Sequence, residues 1–283
     1  MPELPEVEIL VRHLRPLVVG KRVRSVTVLR PKAVRPLNGQ HFAELLEGWE
    51  IGAVGRRGKY LCFDLTGRVG SQPCRLLGHL GMTGRMFVQP GGRAPGRHAS
   101  VVIGIGAEDW MFEDPRQFGG LTFEAHRLEG LGPEPLGDDF TEEMLRVRLG
   151  SSNQAVKVRL MDQHVLAGLG NIYASEALHW AGIAPDRAAG SLKRHEMARL
   201  RDGIRAVLET AIRTGESLAL DFAGSGGGDG LFYYGRATEA PASAEERFRV
   251  YDRAGQPCGT CAEPIERVVL AGRSTFYCRR CQR

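Results

Sequence analysis

Apolar residues near the start of the chain recur at helical spacing. Val7, Leu10, Val11 and Leu14 line one face, and Pro16 and Gly20 predict where the helix stops. From residue 23 to about residue 125 the period shortens. Val23–Leu29, Glu50–Val54, Tyr60–Leu65, Leu76–Leu80, Met86–Val88, Val101–Ile105 and Trp110–Phe112 read as short strands parted by Gly- and Pro-rich turns, with one short helix near Phe42–Leu46. Leu131–Pro135 (LGPEP) reads as a linker. Helical spacing then returns over Glu142–Leu149, Val156–Met161, Ile172–Ala181 and Leu192–Thr214, the last ending at Gly215. In that long helix Met197, Leu200, Ile204, Val207, Leu208 and Ala211 form the predicted buried stripe. Gly224–Gly230 (GSGGGDG) reads as a linker or a lid, and the chain closes on a predicted β-hairpin turning near Ala271-Gly272. Strands followed by helices give an α+β chain in which a sandwich or barrel precedes a helical domain. The predicted divisions are a domain over 1–130, a linker over 131–140, a helical domain over 141–245 with a loop near 222–245, and a terminal module over 246–283.

Composition narrows the class. A chain of 283 residues, 42% hydrophobic and 25% charged, is ordinary for a globular protein. No apolar run approaches the roughly 20 residues of a spanning helix, and no basic-then-apolar leader opens the chain. The expectation is a cytoplasmic monomer without membrane contact. A net charge of +5 points weakly to an anionic partner.

The cysteines are more decisive. Cys258-Gly-Thr-Cys261 and Cys278-Arg-Arg-Cys281 form two CxxC pairs. Each pair supplies two thiolates from one tight turn, and two such turns complete a tetrahedron around one zinc ion. Four protein ligands leave no open position, so the zinc is structural. Cys62 and Cys74 read as small apolar residues in or beside strands.

The chemistry concentrates at the start, Met1-Pro2-Glu3-Leu4-Pro5-Glu6-Val7-Glu8. Removal of Met1 leaves a secondary amine on Pro2, a group able to attack an electrophilic carbon and form an iminium. An α-amino group titrates at about 7.7–8.0, against about 10.4 for lysine, so an appreciable fraction is unprotonated near neutrality. Glu3 beside it can pass protons. The same residues also suit the first turn of a helix, and both readings hold together.

Other clusters each carry two readings. In Gly55-Arg-Arg-Gly-Lys-Tyr60, Lys59 is a proton donor, a phosphate ligand or part of a solvated turn. His79 and Met82 share a Gly-rich turn, where an exposed Met suits an apolar wedge into a base stack and a buried one suits the core. Arg116 and Phe118, two apart in Asp114-Pro-Arg-Gln-Phe-Gly119, share a face if the loop is extended, one to read a base edge and one to stack; the alternative is a salt-bridged Arg and a buried Phe. Asn171 follows Gly168-Leu-Gly170 at a predicted helix start, as a phosphate ligand or simply an N-cap. Arg273 stands at the tip of the zinc hairpin.

Taken in order, PELPEVE, RRGKYL, HLGMTGR, DPRQFG, LMDQ…GLGNIYASEAL and the terminal CxxC pairs resemble the formamidopyrimidine-DNA glycosylases along essentially the whole chain. The wider family also contains endonuclease VIII, and Leu4 in PELPE resembles the formamidopyrimidine branch. The resemblance implies an N-terminal β-sandwich with flanking helices, then a helical helix–two-turn–helix domain and a β-hairpin zinc finger. It implies a bifunctional glycosylase and abasic-site lyase of base excision repair, acting on oxidised purines in double-stranded DNA. Under it Pro2 is the nucleophile, Glu3 its acid/base partner, Glu6 a second pocket carboxylate and Lys59 the β-elimination lysine. Met82, Arg116 and Phe118 fill the gap and hold the unpaired cytosine. His79, His98, Lys157 and Asn171 contact DNA, and Arg273 grips phosphate and assists δ-elimination. Cys258, Cys261, Cys278 and Cys281 hold the zinc.

The chain departs from the family pattern at Gln117, Ser152 and Asn153, where basic residues are common, and over Phe222–Glu245, which bears on lesion choice. The alternatives are an endonuclease VIII-like enzyme for oxidised pyrimidines and a non-catalytic zinc protein that binds damaged DNA.

Overall fold

The computed structural model describes residues 2–68, 70–218, 220–223 and 248–283. Met1 and Gly224–Gly230, with most of the 222–245 loop, lie outside the described residues. The chain divides into two units. Among described residues the first takes in 2–129 with 215–223, and the second 130–214 with 248–283.

In the first unit the N-terminal helix forms as α1 (Leu4–Val18), with Val7, Leu10, Val11 and Leu14 buried as the spacing predicts. It runs through Pro16 and stops at Val19, one residue before Gly20. The strands then form in the predicted order: β1 (Ser25–Val28), β2 (Glu50–Arg57), β3 (Tyr60–Thr66), β4 (Cys74–His79), β5 (Arg85–Pro90), β6 (Ala99–Gly104) and β7 (Glu108–Glu113), with α2 (Gly39–Leu46) between β1 and β2. An eighth strand, β8 (Gly120–Thr122), has no counterpart in the sequence reading, because three residues opening on a glycine show no alternation. Two four-stranded antiparallel sheets result, ordered β1-β6-β7-β5 and β2-β3-β4-β8. Phe63 of one meets Trp110 of the other at 4.5 Å between ring centroids, so the core lies between the sheets as in a sandwich. α1 adds its apolar face to the same cluster.

The second unit contains α3 (Glu142–Leu149), α4 (Val156–Leu160), α5 (Asn171–Ala181) and all but the last three residues of α6, which runs Arg194–Ser217. The sequence reading stops α6 at Gly215, yet the helix passes through that glycine. A helical glycine costs only about 1 kcal/mol against alanine, which one more turn of hydrogen bonds offsets. Met197, Leu200, Ile204 and Leu208 are buried as predicted; Val207 and Ala211 are half-buried, and Ile212 joins the stripe. Residues 215–223 pack with the first unit, where Phe222 stacks on His13 at 3.8 Å. The LGPEP segment is fastened rather than loose: Gly132 N–H donates to the Gln163 carbonyl, and Ala167 N–H to that of Pro133. The terminal hairpin pairs β9 (Glu266–Leu270) with β10 (Arg273–Tyr277) through Ala271 and Gly272, both at positive φ as a two-residue primed turn requires.

Candidate functional site

The first turn of α1 is built from acids. Glu3 is its N-cap, and Glu3 N–H donates to Glu6 Oε2 at 2.7 Å within a capping box. Each carboxylate thus serves the free N–H groups and the positive end of a helix. Glu3 and Glu6 are 1% and 0% exposed, and Pro2 beside them is buried too.

Lys59 lies in the β2–β3 turn, half-buried, after Gly58 at φ 55°. Its hairpin is braced to α1 through a residue to which the sequence reading gives no separate role. Arg56 donates through Nε to Glu8 Oε2 at 3.0 Å and through its guanidinium to the Gly58 carbonyl at 3.0 Å. Glu8 in turn accepts from Arg12 Nε at 2.8 Å, and Arg12 pairs with Glu216. Burial would raise the Glu8 carboxyl, but hydrogen bonds from Arg12 and Arg56 outweigh it and hold the group below its ordinary range. The helix bearing Pro2, Glu3 and Glu6 and the turn bearing Lys59 are therefore linked by one ion-pair chain. The signal in the sequence was Glu8 on the polar face of α1 and the doubled arginine, which has a second possible use as a phosphate ligand.

His79 ends β4, tilted against Tyr60 at 4.9 Å. Burial, then the cations Lys59 and Arg127, push its pKa down to about 4, against the pull of Asp114. The ring is neutral at pH 7. Its Nδ1 accepts the Gly81 N–H at 3.0 Å, which fixes the proton on Nε2. Met82 is half-buried, between the two readings its turn allowed. Phe118 is 56% exposed and Arg116 is exposed, so the buried-Phe reading fails. The Arg116 guanidinium carbon lies 4.8 Å from the Phe118 ring centroid. The two side chains do meet, but through a tight turn rather than an extended loop: Gln117 between them sits at φ 55°. His98 is half-buried, and its Nδ1 has no hydrogen-bond partner.

In the second unit Lys157 is 1% exposed. Its ammonium donates to Thr275 Oγ1 at 2.9 Å and to the Ser274 carbonyl at 3.2 Å. The resemblance implies that Lys157 contacts DNA; in this structure the ammonium, on α4, is buried against two oxygens of β10 that offset the cost of its burial. Asn171 is the first residue of α5, after the cap Gly170, and not the N-cap itself. Its Nδ2 donates to the same Ser274 carbonyl at 3.0 Å, and its Oδ1 is buried without a partner. Two donors therefore hold the residue next to Arg273, which is exposed at the hairpin tip.

The four cysteine sulfurs lie within 4.8 Å of one another, with Cys261–Cys278 at 3.4 Å and Cys258–Cys281 at 3.9 Å. The edges of a Zn–S tetrahedron at about 2.3 Å are about 3.8 Å long, so the donor set fits one zinc ion. Glu176 of α5, 6% exposed, accepts the N–H groups of Arg249, Val250 and Tyr251 at 2.7, 2.9 and 2.8 Å and so fixes the entry to this module. A lone glutamate in an apolar helix gave no sequence signal for that role.

Three family models match in order: the formamidopyrimidine-DNA glycosylase N-terminal domain over residues 1–121, the H2TH domain of those enzymes over 131–222, and a zinc finger found in FPG and IleRS over 255–283. Curated relatives named formamidopyrimidine-DNA glycosylase include one from Carboxydothermus hydrogenoformans, 38% identical, and one from Neisseria meningitidis, 40% identical, each covered completely along with this chain. Among solved structures, Fpg of Lactococcus lactis bound to DNA containing N7-benzyl-Fapy-dG is 30% identical, with a TM-score of 0.84 over 99% of both chains. The MutM (Fpg) protein of Thermus thermophilus is 38% identical, with a TM-score of 0.81 over 99% of this chain and 98% of that one.

Proposed function

The chain belongs to the formamidopyrimidine-DNA glycosylase family, and from that premise we propose how its own residues excise oxidised purines from duplex DNA and cut the strand. The Pro2 nitrogen attacks C1′ of the damaged nucleotide, the bond from C1′ to the base breaks, and the base leaves with a proton while the proline nitrogen gives up its own. Glu3 moves protons at this centre: it passes one to the ring oxygen O4′ as the C1′–O4′ bond opens, which leaves an iminium between C1′ and the Pro2 nitrogen. That iminium acidifies C2′. Loss of a C2′ proton, assisted by Lys59, expels the 3′ phosphate. A second elimination, assisted by Arg273, expels the 5′ phosphate. Glu6 supports the first turn through the Glu3 N–H. Met82, Arg116 and Phe118 occupy the vacancy left by the extruded nucleotide, offsetting an extrusion cost of a few kcal/mol. His79 donates through Nε2 to a phosphate, and His98 and Asn171 add backbone contacts. Cys258, Cys261, Cys278 and Cys281 would hold the zinc, which supplies rigidity to the Arg273 hairpin and no chemistry.

The observation that carries this reading is the ion-pair chain Arg56–Glu8–Arg12, which ties the Lys59 turn to the helix that presents Pro2 and Glu3. The relatives described above carry the formamidopyrimidine name, which favours oxidised purines over oxidised pyrimidines. Borohydride should trap the protein on an 8-oxoguanine duplex, with peptide mapping placing the adduct on Pro2. Full trapping in Pro2→Gly, with the adduct on Lys59, reassigns the nucleophile. Loss of trapping in the wild type, with Met1 shown by intact mass to be absent, supports the non-catalytic alternative.

A further inference from the structure

Asp114 is 1% exposed, yet it is no part of the proposed chemistry. Its carboxylate accepts four hydrogen bonds from two different loops. Oδ1 takes the Thr83 hydroxyl at 2.5 Å and the Arg116 N–H at 3.1 Å. Oδ2 takes the N–H groups of Phe118 at 2.8 Å and Gly119 at 2.7 Å. The Arg116 N–H also leans on Thr83 Oγ1 at 3.3 Å. Three of these donors belong to the turn that carries Arg116 and Phe118. The fourth is the residue after Met82. The two turns also touch through their backbones: a Cβ placed on Gly81 would lie 2.5 Å from Gly119 N and 2.6 Å from the Phe118 carbonyl carbon.

We propose that Asp114, with Thr83, is a positioning residue that assembles Met82, Arg116 and Phe118 into one preset wedge before DNA binds. This rests on the wedge reading of those three side chains given above. Without the carboxylate, three backbone N–H groups in this turn lose an acceptor, and Gln117 loses the frame that holds it at φ 55°. The turn then relaxes, the Arg116–Phe118 pair separates, and the turn that carries Met82 loses its tie to that pair. Preassembly matters because ordering three side chains at the moment of extrusion costs rotamer entropy that a preset wedge has already given up.

The test uses the full-length zinc-bound protein, with 8-oxoguanine duplexes bearing each of the four opposite bases and with a duplex carrying a pre-formed abasic site. Asp114→Ala should lower excision from the stacked lesion at least about tenfold more than cleavage at the abasic site, the scale of one buried donor left without an acceptor. Its preference for cytosine opposite the lesion should shrink together with the rate. Thr83→Val removes the hydroxyl's bond to Asp114 and its longer contact with the Arg116 N–H but leaves the carboxylate in place, and should give a smaller loss in the same ratio, about threefold. Arg116→Ala and Phe118→Ala run alongside. If those two lose lesion excision while Thr83→Val and a folded Asp114→Ala match the wild type in both readouts, the positioning role is overturned and the wedge stands. If Arg116→Ala and Phe118→Ala also match the wild type, the wedge reading itself falls. Should Asp114→Ala fail to fold, Thr83→Val decides alone: an unchanged lesion-to-abasic ratio overturns the proposal.

Discussion

His79 is held uncharged by burial and by the cations Lys59 and Arg127, with its pKa down at about 4 against an ordinary 6.5. This has a stability consequence with a definite sign. Above pH 6.5 neither the folded nor the unfolded ring is protonated, and the residue costs nothing. Between 6.5 and 4 the unfolded ring takes up a proton that the folded one refuses, so stability falls as pH falls through that window. His79→Gln cannot titrate. Its melting temperature should therefore decline less than the wild type's between pH 7 and pH 4.5, since carboxylates contribute equally to both proteins. Parallel declines would show that the ring is solvated and that its Nδ1 bond to Gly81 does not fix it. The neutral tautomer also means that the DNA contact proposed for His79 should not strengthen between pH 8 and pH 6, as an imidazolium contact would.

At the scale of elements, the hairpin β9–β10 separates two cations that look alike in sequence. Arg273 is exposed at its tip, whereas Lys157 is buried behind it on Thr275 and Ser274. Only an ammonium or guanidinium that displaces counterions from phosphate changes the salt dependence of binding, by about 0.9 per contact on B-DNA. Arg273→Ala should therefore flatten the plot of log K against log salt by about 0.9 with little change in melting temperature. Lys157→Met should leave that slope alone and instead lower the melting temperature of the zinc unit, since it strips donors from two buried oxygens. A slope change in Lys157→Met equal to that in Arg273→Ala would return Lys157 to the phosphates. The same contrast marks what was legible in the sequence. The helices, seven of the strands, the hairpin turn and the cysteine set all follow from periodicity and spacing, which are local. The burial of Lys157, the brace of Arg56 on Glu8, the nest that Glu176 makes for residues 249–251 and the clamp of Asp114 join positions far apart in sequence. A charged residue gives no periodic signal of the partner that neutralises it, so these could be found only in three dimensions. β8 escaped for a different reason: its pairing with β4, not its own pattern, makes it a strand.

At the scale of the whole chain, the residues proposed for base excision and β-elimination lie in the first unit and the zinc hairpin lies in the second. The first holds Pro2, Glu3, Glu6 and Lys59 over a sandwich core that includes Phe63 and Trp110. The second holds Asn171 and Arg273, and among the described residues the buried core of its terminal module is Val250, Cys258, Ile265, Phe276 and Cys278. A core that small stands on its metal, because binding energy for a structural zinc is folding energy. Removing zinc with a chelator, or replacing one ligand by Cys258→Ser, should melt the hairpin and release the Ser274 carbonyl from Asn171 and Lys157. Duplex affinity should fall and the salt slope should flatten by about the one Arg273 contact. The sandwich should keep its near-ultraviolet signal, and at protein concentrations high enough to saturate an abasic-site oligonucleotide, borohydride should still trap Pro2. The ratio of trapping lost at low protein to trapping lost at saturation is the readout that separates grip from chemistry. If the metal-free protein loses trapping equally at both concentrations, the zinc module serves the reacting centre directly. If it keeps full affinity, the four cysteines hold nothing the enzyme needs.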